Sequence, residues 1–336
     1  MKFTKNFKEI SKKDVGIAGG KGASLGEMLN ARIPVPPGFV VLASAFDRFL
    51  EETDLFQDIQ ARLDEVNYKD TNSVDRESNE IREMIADTKF PVDLGKEITS
   101  EFKKLKAQYV AVRSSATAED SKTASWAGEL ETYLNTTEKE LLVNVKKCWS
   151  SLFTPRAIFY RHEKYPHLTP APLLGKERGK ASLPLAKGEK QRGYISVAVV
   201  IQKMIQSEVS GIAFTVHPVT EDKNQMILEA GLGLGEAIVS GQITPDSYVI
   251  DKRNWSIVDI NIAEQTMMIT KKGVKTSQIK LSKNKGNKQK LTGRQIVELA
   301  KLCGQIEKHY GFPCDIEWAR EKGKFYITQS RPITTL

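Results

Sequence analysis

Two short segments of this sequence combine residue types that could bind phosphate groups. The first is Gly-Gly-Lys-Gly at residues 19–22, which precedes apolar residues at helical spacing. Glycines let backbone amides approach an anion at the start of a helix, so this segment is a candidate phosphate loop. It is not a Walker A motif, because the spacing from Gly16 to Lys21 is one residue short and Gly22 replaces the required Ser or Thr. The alternative is a tight entrance to a helix.

The second segment surrounds Arg113, which follows a β-prone run and precedes small hydroxyl residues and two acids. The guanidinium would offer a planar, permanently charged fork to phosphate oxygens. Residues 121–128 are small and polar apart from Trp126, as expected for a flexible flap over a triphosphate. The alternative is a surface loop with a structural ion pair.

A third glycine-rich segment, at residues 231–236, has glycine at every second position. This spacing differs from the dinucleotide-binding fingerprint. It predicts a close-packed turn, with direct phosphate contact as the alternative.

The C-terminal region has the pattern of a β-hairpin. Residues 314–320 and 324–331 are predicted strands, joined by a turn at residues 321–323. Centring the hairpin on Gly323 determines which side chains lie opposite each other across the two strands.

That register places Glu317 opposite Gln329 and Asp315 opposite Arg331, and alternation then puts all four side chains on one face. A carboxylate, an amide oxygen and a guanidinium on one face could hold magnesium and phosphate together. The alternative is a solvated strand face with cross-strand ion pairs. The opposite face is predicted to be packed by Ile316, Trp318 and Thr328.

The elements that must position these groups include both helices and strands, which indicates an α+β or α/β fold, and α+β is the class that we predict. The best-marked helix covers about residues 293–310, because Thr292 and Gln295 have capping-box spacing and Gly311 can end it. Another helical stripe contains Cys148 and Trp149. The strand candidates in the second half are residues 195–201, 211–216, 225–229 and 247–251.

The composition divides the chain into two lobes. Residues 167–193 contain prolines, glycines and many charges but no aromatic residue, which predicts a flexible insertion or linker. We therefore expect an N-terminal lobe at residues 1–166 and a C-terminal lobe at residues 194–336, which opens with the strand at residues 195–201.

The net charge of +8 is concentrated in two stretches, residues 176–192 and the lysine-rich residues 271–290. Neither stretch interleaves aromatic residues that could stack on bases, so we predict solvated loops and no nucleic-acid partner. The three cysteines lack metal-ligand spacing and are predicted to be reduced and buried. The sequence contains no apolar run of membrane-spanning length and does not begin like a signal peptide, so we expect a soluble, cytoplasmic protein with no membrane partner.

Taken together, the segments resemble the nucleotide-binding domain shared by phosphoenolpyruvate synthase (pyruvate, water dikinase), pyruvate, phosphate dikinase and rifampin phosphotransferase. The resemblance extends nearly from end to end of the chain. The matching segments are residues 15–26, 111–120, 201–204, 233–236, 315–318 and 328–333.

This resemblance implies an ATP-grasp fold with ATP bound between two lobes. By position, Lys21 and Arg113 resemble the family's phosphate-binding lysine and arginine, and Arg331 resembles the arginine beside the metal ligands. These three cations would neutralise charge during phosphoryl transfer. Gly128 in the flap and Thr132 in the following strand are the implied further phosphate contacts.

The resemblance also implies where the purine and the metal bind. Gln202 matches the adenine-side hinge, where Lys203 and Ile205 would offer backbone contacts to the base. Glu317 and Gln329 match the Mg²⁺ and phosphate ligands, so ATP is the expected substrate and Mg²⁺ the expected cofactor.

In this family a histidine on a separate domain attacks the β-phosphate of ATP and carries the phosphoryl group to pyruvate. The four histidines of this sequence lie outside the family's phosphohistidine context, so we expect a phosphohistidine-bearing partner domain, in cis or in trans. His217 is expected in a surface turn. The predicted function is a phosphotransferase that is incomplete without that domain. The alternatives are the same domain of a rifampin phosphotransferase-like antibiotic kinase and a stand-alone nucleotide-binding module without catalysis.

Overall fold

The computed structural model describes residues 2–117, 131–164, 196–273 and 275–333. The chain divides into two compact units, and both contain helices and antiparallel sheet, consistent with the predicted α+β class. The first unit comprises Met1–Gly26 and Pro37–Lys203, and the second comprises Glu27–Pro36 and Met204–Leu336.

The first unit is built on a five-stranded antiparallel sheet. Its strands are β1 (Thr4–Asn6), β2 (Gly38–Val41), β3 (Val110–Ala116), β4 (Thr132–Thr136) and β5 (Val197–Lys203). Their spatial order is β1-β2-β5-β3-β4. Its helices are α1 (Val15–Asn30), which continues into the second unit, α2 (Ala43–Glu52), α3 (Leu55–Asp64), α4 (Thr71–Asp87), α5 (Val92–Lys104), α6 (Leu141–Ser150) and α7 (Pro155–Lys164).

An aromatic cluster around Trp149 forms part of the core of the first unit. Trp149 on α6 is fully buried, and its ring centroid lies 5.1 to 5.4 Å from those of Phe46, Phe49 and Phe90. Cys148, the next residue on this helix, is also fully buried. The predicted core-facing stripe of α6 is therefore confirmed.

Strand β5 lies in the middle of the first sheet, between β2 and β3, where Val200 is opposite Val40 on one side and Arg113 on the other. The sequence-based division placed this run at the start of the C-terminal lobe, after residue 193, whereas the structure assigns it to the first unit. Apolar, β-branched composition indicates a buried strand, but the sheet that it joins depends on partners that are distant in sequence.

The second unit contains a six-stranded antiparallel sheet and a separate two-stranded hairpin. The large sheet consists of β6 (Val209–Phe214), β7 (Gln225–Leu232), β8 (Asp246–Asp251), β9 (Ser256–Asn261), β12 (Cys314–Glu321) and β13 (Lys324–Pro332). Their spatial order is β13-β12-β6-β7-β8-β9, and β10 (Met267–Lys272) pairs with β11 (Lys275–Lys280). The helices that follow β7 are α8 (Glu236–Val239), α9 (Lys283–Gly286) and α10 (Gly293–Tyr310).

Helix α10 begins and ends as the sequence predicts. The Thr292 side chain accepts a hydrogen bond from the Gln295 backbone, and the Gln295 side chain accepts one from the Thr292 backbone. Gly311 ends the helix in the left-handed conformation, with φ of 78°. These contacts satisfy backbone groups that helix ends otherwise leave unpaired.

Lys290 departs from the prediction that the lysines of residues 271–290 lie in solvated loops. It is buried, and its Nζ lies 2.9 Å from an Asp246 carboxylate oxygen. The same Nζ donates to the carbonyls of Ala263 at 2.7 Å and Gly286 at 2.8 Å. Charge counting cannot identify such a lysine, because its partner lies in a strand 44 residues earlier.

All three cysteines are free and buried, as predicted. In the ranges that the structure describes, no helix combines the length and apolar character needed to cross a membrane. The predicted insertion at residues 167–193 lies outside the described residues.

Candidate functional site

The glycine-rich segment at residues 19–22 is held against strand β3 of the same unit. Helix α1 is interrupted at Gly19, whose φ of 69° and ψ of 171° are not helical. The Ser115 hydroxyl donates to the Ala18 carbonyl at 3.0 Å and accepts from the Gly22 amide at 3.2 Å. The segment that carries Lys21 is thus fastened beside the strand that carries Arg113.

Position 19 requires glycine, because a residue with a side chain would not fit there. A Cβ atom at this position would come within 2.3 Å of the Ser115 carbonyl oxygen. Its φ and ψ also fall in a region that residues with side chains essentially never occupy. The Gly-Gly-Lys-Gly segment therefore contains a break in helix α1, and the break packs closely on β3.

Lys21 lies half-buried one residue before the Gly22 amide. Burial raises the pKa of the neighbouring Cys148 thiol well above its usual range, the Glu131 charge raises it further, and the positive charge of Lys21 acts in the opposite direction.

Arg113 and Thr132 are direct cross-strand neighbours. Arg113 is buried in β3, with 8% of its surface exposed, and lies opposite Thr132 of β4, which is exposed. The first unit therefore brings together three of the predicted phosphate contacts: Arg113 and Thr132 directly, and Lys21 through the fastened glycine segment. The fourth, Gly128, and the rest of the predicted flap lie outside the described residues.

The start of β4 is held by a charged cluster that the sequence analysis missed. The Glu131 carboxylate forms an ion pair with Arg82 of α4 at 2.6 Å and accepts a hydrogen bond from the Tyr133 hydroxyl. Burial and the Glu131 carboxylate both raise the pKa of Tyr133. The Glu131 carbonyl also accepts from both the amide and the hydroxyl of Ser114. Arg82 is 49 residues from Glu131, so no local pattern could have shown the pair.

The predicted adenine hinge coincides with a covalent connection between the two units. Gln202 is buried and ends β5 with Lys203, after which the chain passes into the second unit, where Ile205 is buried. The Lys203 amide donates to the Pro37 carbonyl at 2.8 Å. Among the described residues, the Gln202 side-chain nitrogen has no hydrogen-bond partner although it is buried.

The C-terminal hairpin has the predicted pairs. Glu317 lies opposite Gln329, and Asp315 lies opposite Arg331. The turn, however, has two residues, Lys322 and Gly323, both with positive φ, and the pairing shifts by one residue between Glu317 and Trp318.

This shift inserts Thr328 into β13 as a β-bulge. Ile327 pairs with Trp318, and Gln329 pairs with Glu317, so Thr328 lies between two pairs that face opposite sides of the sheet. The prediction that Thr328 packs with Ile316 and Trp318 assumed a regular strand, and the bulge changes that alternation. Ile316 and Trp318 are buried, as predicted.

Charged side chains interact on the face of the hairpin that carries Glu317. The Arg331 guanidinium lies 2.7 Å from the Asp315 carboxylate. Burial raises the pKa of Asp315, Arg331 opposes this rise, and the charge of Glu317 adds to it. The three charged residues predicted on this face, Asp315, Glu317 and Arg331, thus interact electrostatically.

Glu229 on β7 interacts electrostatically with Asp315, although it is not among the site residues predicted from the sequence. Burial raises its pKa, and the Asp315 charge raises it further. The sequence feature that could have indicated Glu229 is its position in the predicted strand at residues 225–229, where its carboxylate alternates with buried apolar residues.

The glycine segment at residues 231–236 includes the end of β7, a close-packed turn at residues 233–235, as the sequence predicts, and the start of α8. The Gly233 amide donates to the Glu208 carbonyl at 3.1 Å, and the Leu234 amide donates to the Ile269 carbonyl at 2.8 Å. The Ser207 and Ser210 hydroxyls both donate to the Gly233 carbonyl. These backbone groups are used within the second unit, which disfavours the alternative of direct phosphate contact.

The side-chain oxygens of Glu317 and Gln329 form a donor set suited to a hard cation. Mg²⁺ is bound by one or two protein oxygen ligands together with waters and substrate phosphates, so two facing oxygen donors fit it without a complete protein cage. The described part of the chain contains no cluster of three or more His, Cys, Asp or Glu side chains arranged around a metal position.

The described histidines have structural surroundings. His162 stacks on Tyr68 with ring centroids 3.6 Å apart, and His309 lies 2.9 Å from Glu27. The His217 ring nitrogen accepts from the Val219 and Thr220 amides, which confirms the predicted turn.

Comparisons with known proteins identify a family that covers most of the chain. The family described as the pyruvate phosphate dikinase AMP/ATP-binding domain matches residues 15–336. The chain is 47% identical to a probable phosphoenolpyruvate synthase of Archaeoglobus fulgidus, over 98% of this chain and 41% of that protein. It is 38% identical to the phosphoenolpyruvate synthase of Pyrococcus furiosus, over 100% of this chain and 44% of that protein.

A relative named for a different activity is similar to nearly the same degree. The chain is 37% identical to the rifampicin phosphotransferase of Bacillus cereus, over 99% of this chain and 36% of that protein. The chain therefore spans less than half the length of each of these relatives.

Proposed function

The chain belongs to the family of pyruvate phosphate dikinase AMP/ATP-binding domains, and on this premise we propose that it is the nucleotide-binding part of a phosphoenolpyruvate synthase-like phosphotransferase. In this proposal the fold is ATP-grasp, and residues of two lobes hold Mg-ATP. The phosphoryl group passes to a histidine outside these 336 residues and finally to pyruvate.

The observation that carries the proposal is the arrangement of cations in the first unit. The glycine segment with Lys21 is hydrogen-bonded to the strand of Arg113, and Arg113 lies beside Thr132. A fixed lysine, a buried arginine and an exposed hydroxyl suit the charged oxygens of a triphosphate. Buried cations held by the fold need little reorganisation when the anion arrives.

The purine end of the nucleotide is assigned to the segment from Gln202 to Ile205. A buried amide nitrogen without an acceptor costs free energy, and a purine ring nitrogen would supply the acceptor that the Gln202 side chain lacks among the described residues. The backbone of Lys203 and Ile205 would contact the base.

The metal is assigned to the side-chain oxygens of Glu317 and Gln329. Mg²⁺ would neutralise charge on the phosphate oxygens and orient them for transfer. Arg331 lies beside these ligands and is oriented by its ion pair with Asp315. It would contribute further positive charge to the transferred group.

In the proposed reaction a histidine nitrogen forms a bond to the β-phosphorus, and the bond from that phosphorus to the oxygen bridging the α-phosphate breaks. AMP leaves with the electron pair, and the histidine then carries the β- and γ-phosphates. Water must remove the γ-phosphate as inorganic phosphate before the β-phosphoryl group passes to pyruvate. Lys21, Arg113 and Arg331 position and neutralise the phosphates, and this chain needs no general base because the neutral histidine is itself the nucleophile.

Two measurements test this function. Calorimetry should detect binding of ATP that requires Mg²⁺. Incubation with β-labelled ATP and a separately expressed phosphohistidine-bearing domain of a phosphoenolpyruvate synthase should yield AMP and labelled histidine. The same domain with its histidine replaced by alanine is the control. Binding without transfer would support a nucleotide-binding module without catalysis, and an absence of binding would refute the proposal.

The similarity to a rifampicin phosphotransferase supports a second assignment of the final acceptor. Both activities would share the contacts to ATP, so the difference would lie in the parts of those relatives beyond this chain. Supplying the acceptor-binding domains of each relative in turn, with pyruvate or rifampicin, would distinguish the two.

A further inference from the structure

Three hydroxyl side chains follow Arg113 on or directly after β3, and the proposed function assigns a role to none of them. They are Ser114, Ser115 and Thr117, and all three are buried. Hydroxyl groups beside an arginine suggest phosphate ligands at first sight. A phosphate oxygen, however, accepts hydrogen bonds, and each hydroxyl has a single proton to donate.

That proton is already used in each of the three cases. Ser114 donates to the Glu131 carbonyl at 2.9 Å, Ser115 to the Ala18 carbonyl at 3.0 Å, and Thr117 to the Ser196 carbonyl at 3.1 Å. The three acceptors lie just before β4, in the interrupted helix α1 and just before β5. The hydroxyls of Ser114, Ser115 and Thr117 therefore connect three neighbouring segments by hydrogen bonds to the strand that contains Arg113.

Ser115 makes the most distinctive of these contacts. The first amides of a helix lack partners within the helix, and a preceding Ser, Thr, Asp or Asn usually supplies one. After the break at Gly19, the restarted part of α1 instead receives its cap from the Ser115 hydroxyl, which accepts from the Gly22 amide and lies 93 residues away in sequence. The contact fixes Lys21 relative to Arg113.

We propose that Ser115 is a positioning residue for the triphosphate site. Its hydroxyl fixes the glycine segment on β3, so that Lys21 and Arg113 face the same phosphate groups, and it does not itself bind phosphate. This inference rests on the proposed binding of Mg-ATP.

Ser115→Ala removes both hydrogen bonds without adding atoms. We expect the affinity for Mg-ATP to fall about tenfold, which corresponds to the loss of one to two ordinary hydrogen bonds. The affinity for adenosine, which lacks phosphates, should not change. Amide hydrogen exchange at residues 20–23 should become faster. A residue that only stabilises the fold would not separate ATP from adenosine in this way.

Ser78→Ala is the matched control, because Ser78 is buried in the same unit and donates to the Phe153 carbonyl at 2.6 Å. It should leave exchange at residues 20–23 and both affinities as in the unchanged chain. Unaltered exchange and ATP affinity in Ser115→Ala would overturn the inference, as would an equal loss of ATP and adenosine binding.

The unchanged chain provides a test that does not depend on folding of the variant. Without nucleotide, the amides of residues 20–23 should already exchange slowly, and exchange at the rate of an open loop would overturn the inference. If the unchanged chain bound no Mg-ATP, the proposed function would fail. In that case the exchange comparison alone would decide whether Ser115 holds the glycine segment.

Discussion

Glu317 lies directly opposite Gln329 because one extra residue is inserted into the second strand of the C-terminal hairpin. With its two-residue turn and no bulge, the hairpin would place Thr328 opposite Glu317, and Gln329 would lie on the same face as Ile327. The bulge therefore determines that the proposed magnesium ligands share a face.

Glu317→Gln should raise the Mg²⁺ concentration required for ATP binding. It removes the charge of the proposed ligand while keeping its size, and we expect a change of about tenfold or more, the scale found when groups around metal sites are altered. Calorimetric ATP titrations at several Mg²⁺ concentrations would measure it. The control is Glu298→Gln on the exposed face of α10, and an identical Mg²⁺ dependence in both variants would remove Glu317 from the site.

Arg113→Ala should weaken binding of ATP by about 10- to 100-fold, since hydrogen bonds to charged groups contribute more than neutral ones. The fold should remain intact, as judged by circular dichroism. Arg48→Ala is the control, because Arg48 lies in the same unit and pairs with Glu52 and Asp93 at its surface. ATP affinity that is unchanged in Arg113→Ala would contradict the assignment.

Gly19→Ala should destabilise the chain by about 3 kcal/mol, because a positive φ and overlap with the Ser115 backbone both disfavour a Cβ atom. Gly241→Ala separates the two causes. Gly241 also has a φ of 69°, but nothing lies within 4 Å of its Cβ position, so we expect a loss of only about 1 kcal/mol. Urea unfolding would measure both values, and equal losses would argue against close packing at Gly19.

Lys290→Met should destabilise the chain by about 3–5 kcal/mol, because it leaves the buried Asp246 carboxylate without its counter-charge. Lys288→Met, at an exposed position of the same lysine-rich stretch, should have little effect. Urea unfolding at neutral pH distinguishes the two. Similar small effects in both variants would show that the pair contributes little.

Glu229→Gln should stabilise the chain at alkaline but not at acid pH. Burial and Asp315 raise the pKa of Glu229 in the folded chain, so the folded state binds more protons than the unfolded state between the two pKa values. The contribution of Glu229 to stability therefore falls as the pH rises through that range. We expect a melting temperature about 2 °C higher at pH 8 and unchanged at pH 4.

The same charge change at an exposed position, Glu298→Gln, is the control for Glu229→Gln. It should leave the melting temperature nearly unchanged at both pH values. A stabilisation by Glu229→Gln that is equal at pH 4 and pH 8 would show that ionisation is not its cause.

Local patterns in the sequence predicted local structure well. The capping box at Thr292 and the cross-strand pairs of the C-terminal hairpin were both predicted, because each depends on residues close together in the chain. The prediction of the hairpin pairs assumed a turn centred on Gly323. In the structure the same pairs result from a two-residue turn combined with a β-bulge.

Contacts between distant segments could not be predicted in the same way. The ion pair of Arg82 with Glu131 and the cap that Ser115 supplies to Gly22 join residues far apart in sequence. The membership of β5 in the first sheet has the same origin. Composition reveals which segments are buried, whereas the identity of their neighbours emerges only from the fold.

The chain passes from one compact unit to the other three times, after Gly26, after Pro36 and after Lys203. Cleavage of the chain at one position therefore cannot yield two fragments that each contain one complete unit. A fragment that begins at residue 204 would lose Pro34, whose carbonyl accepts a hydrogen bond from the Ile327 amide. Dissecting this protein into independently expressed halves would require grafting residues 27–36 onto the second half.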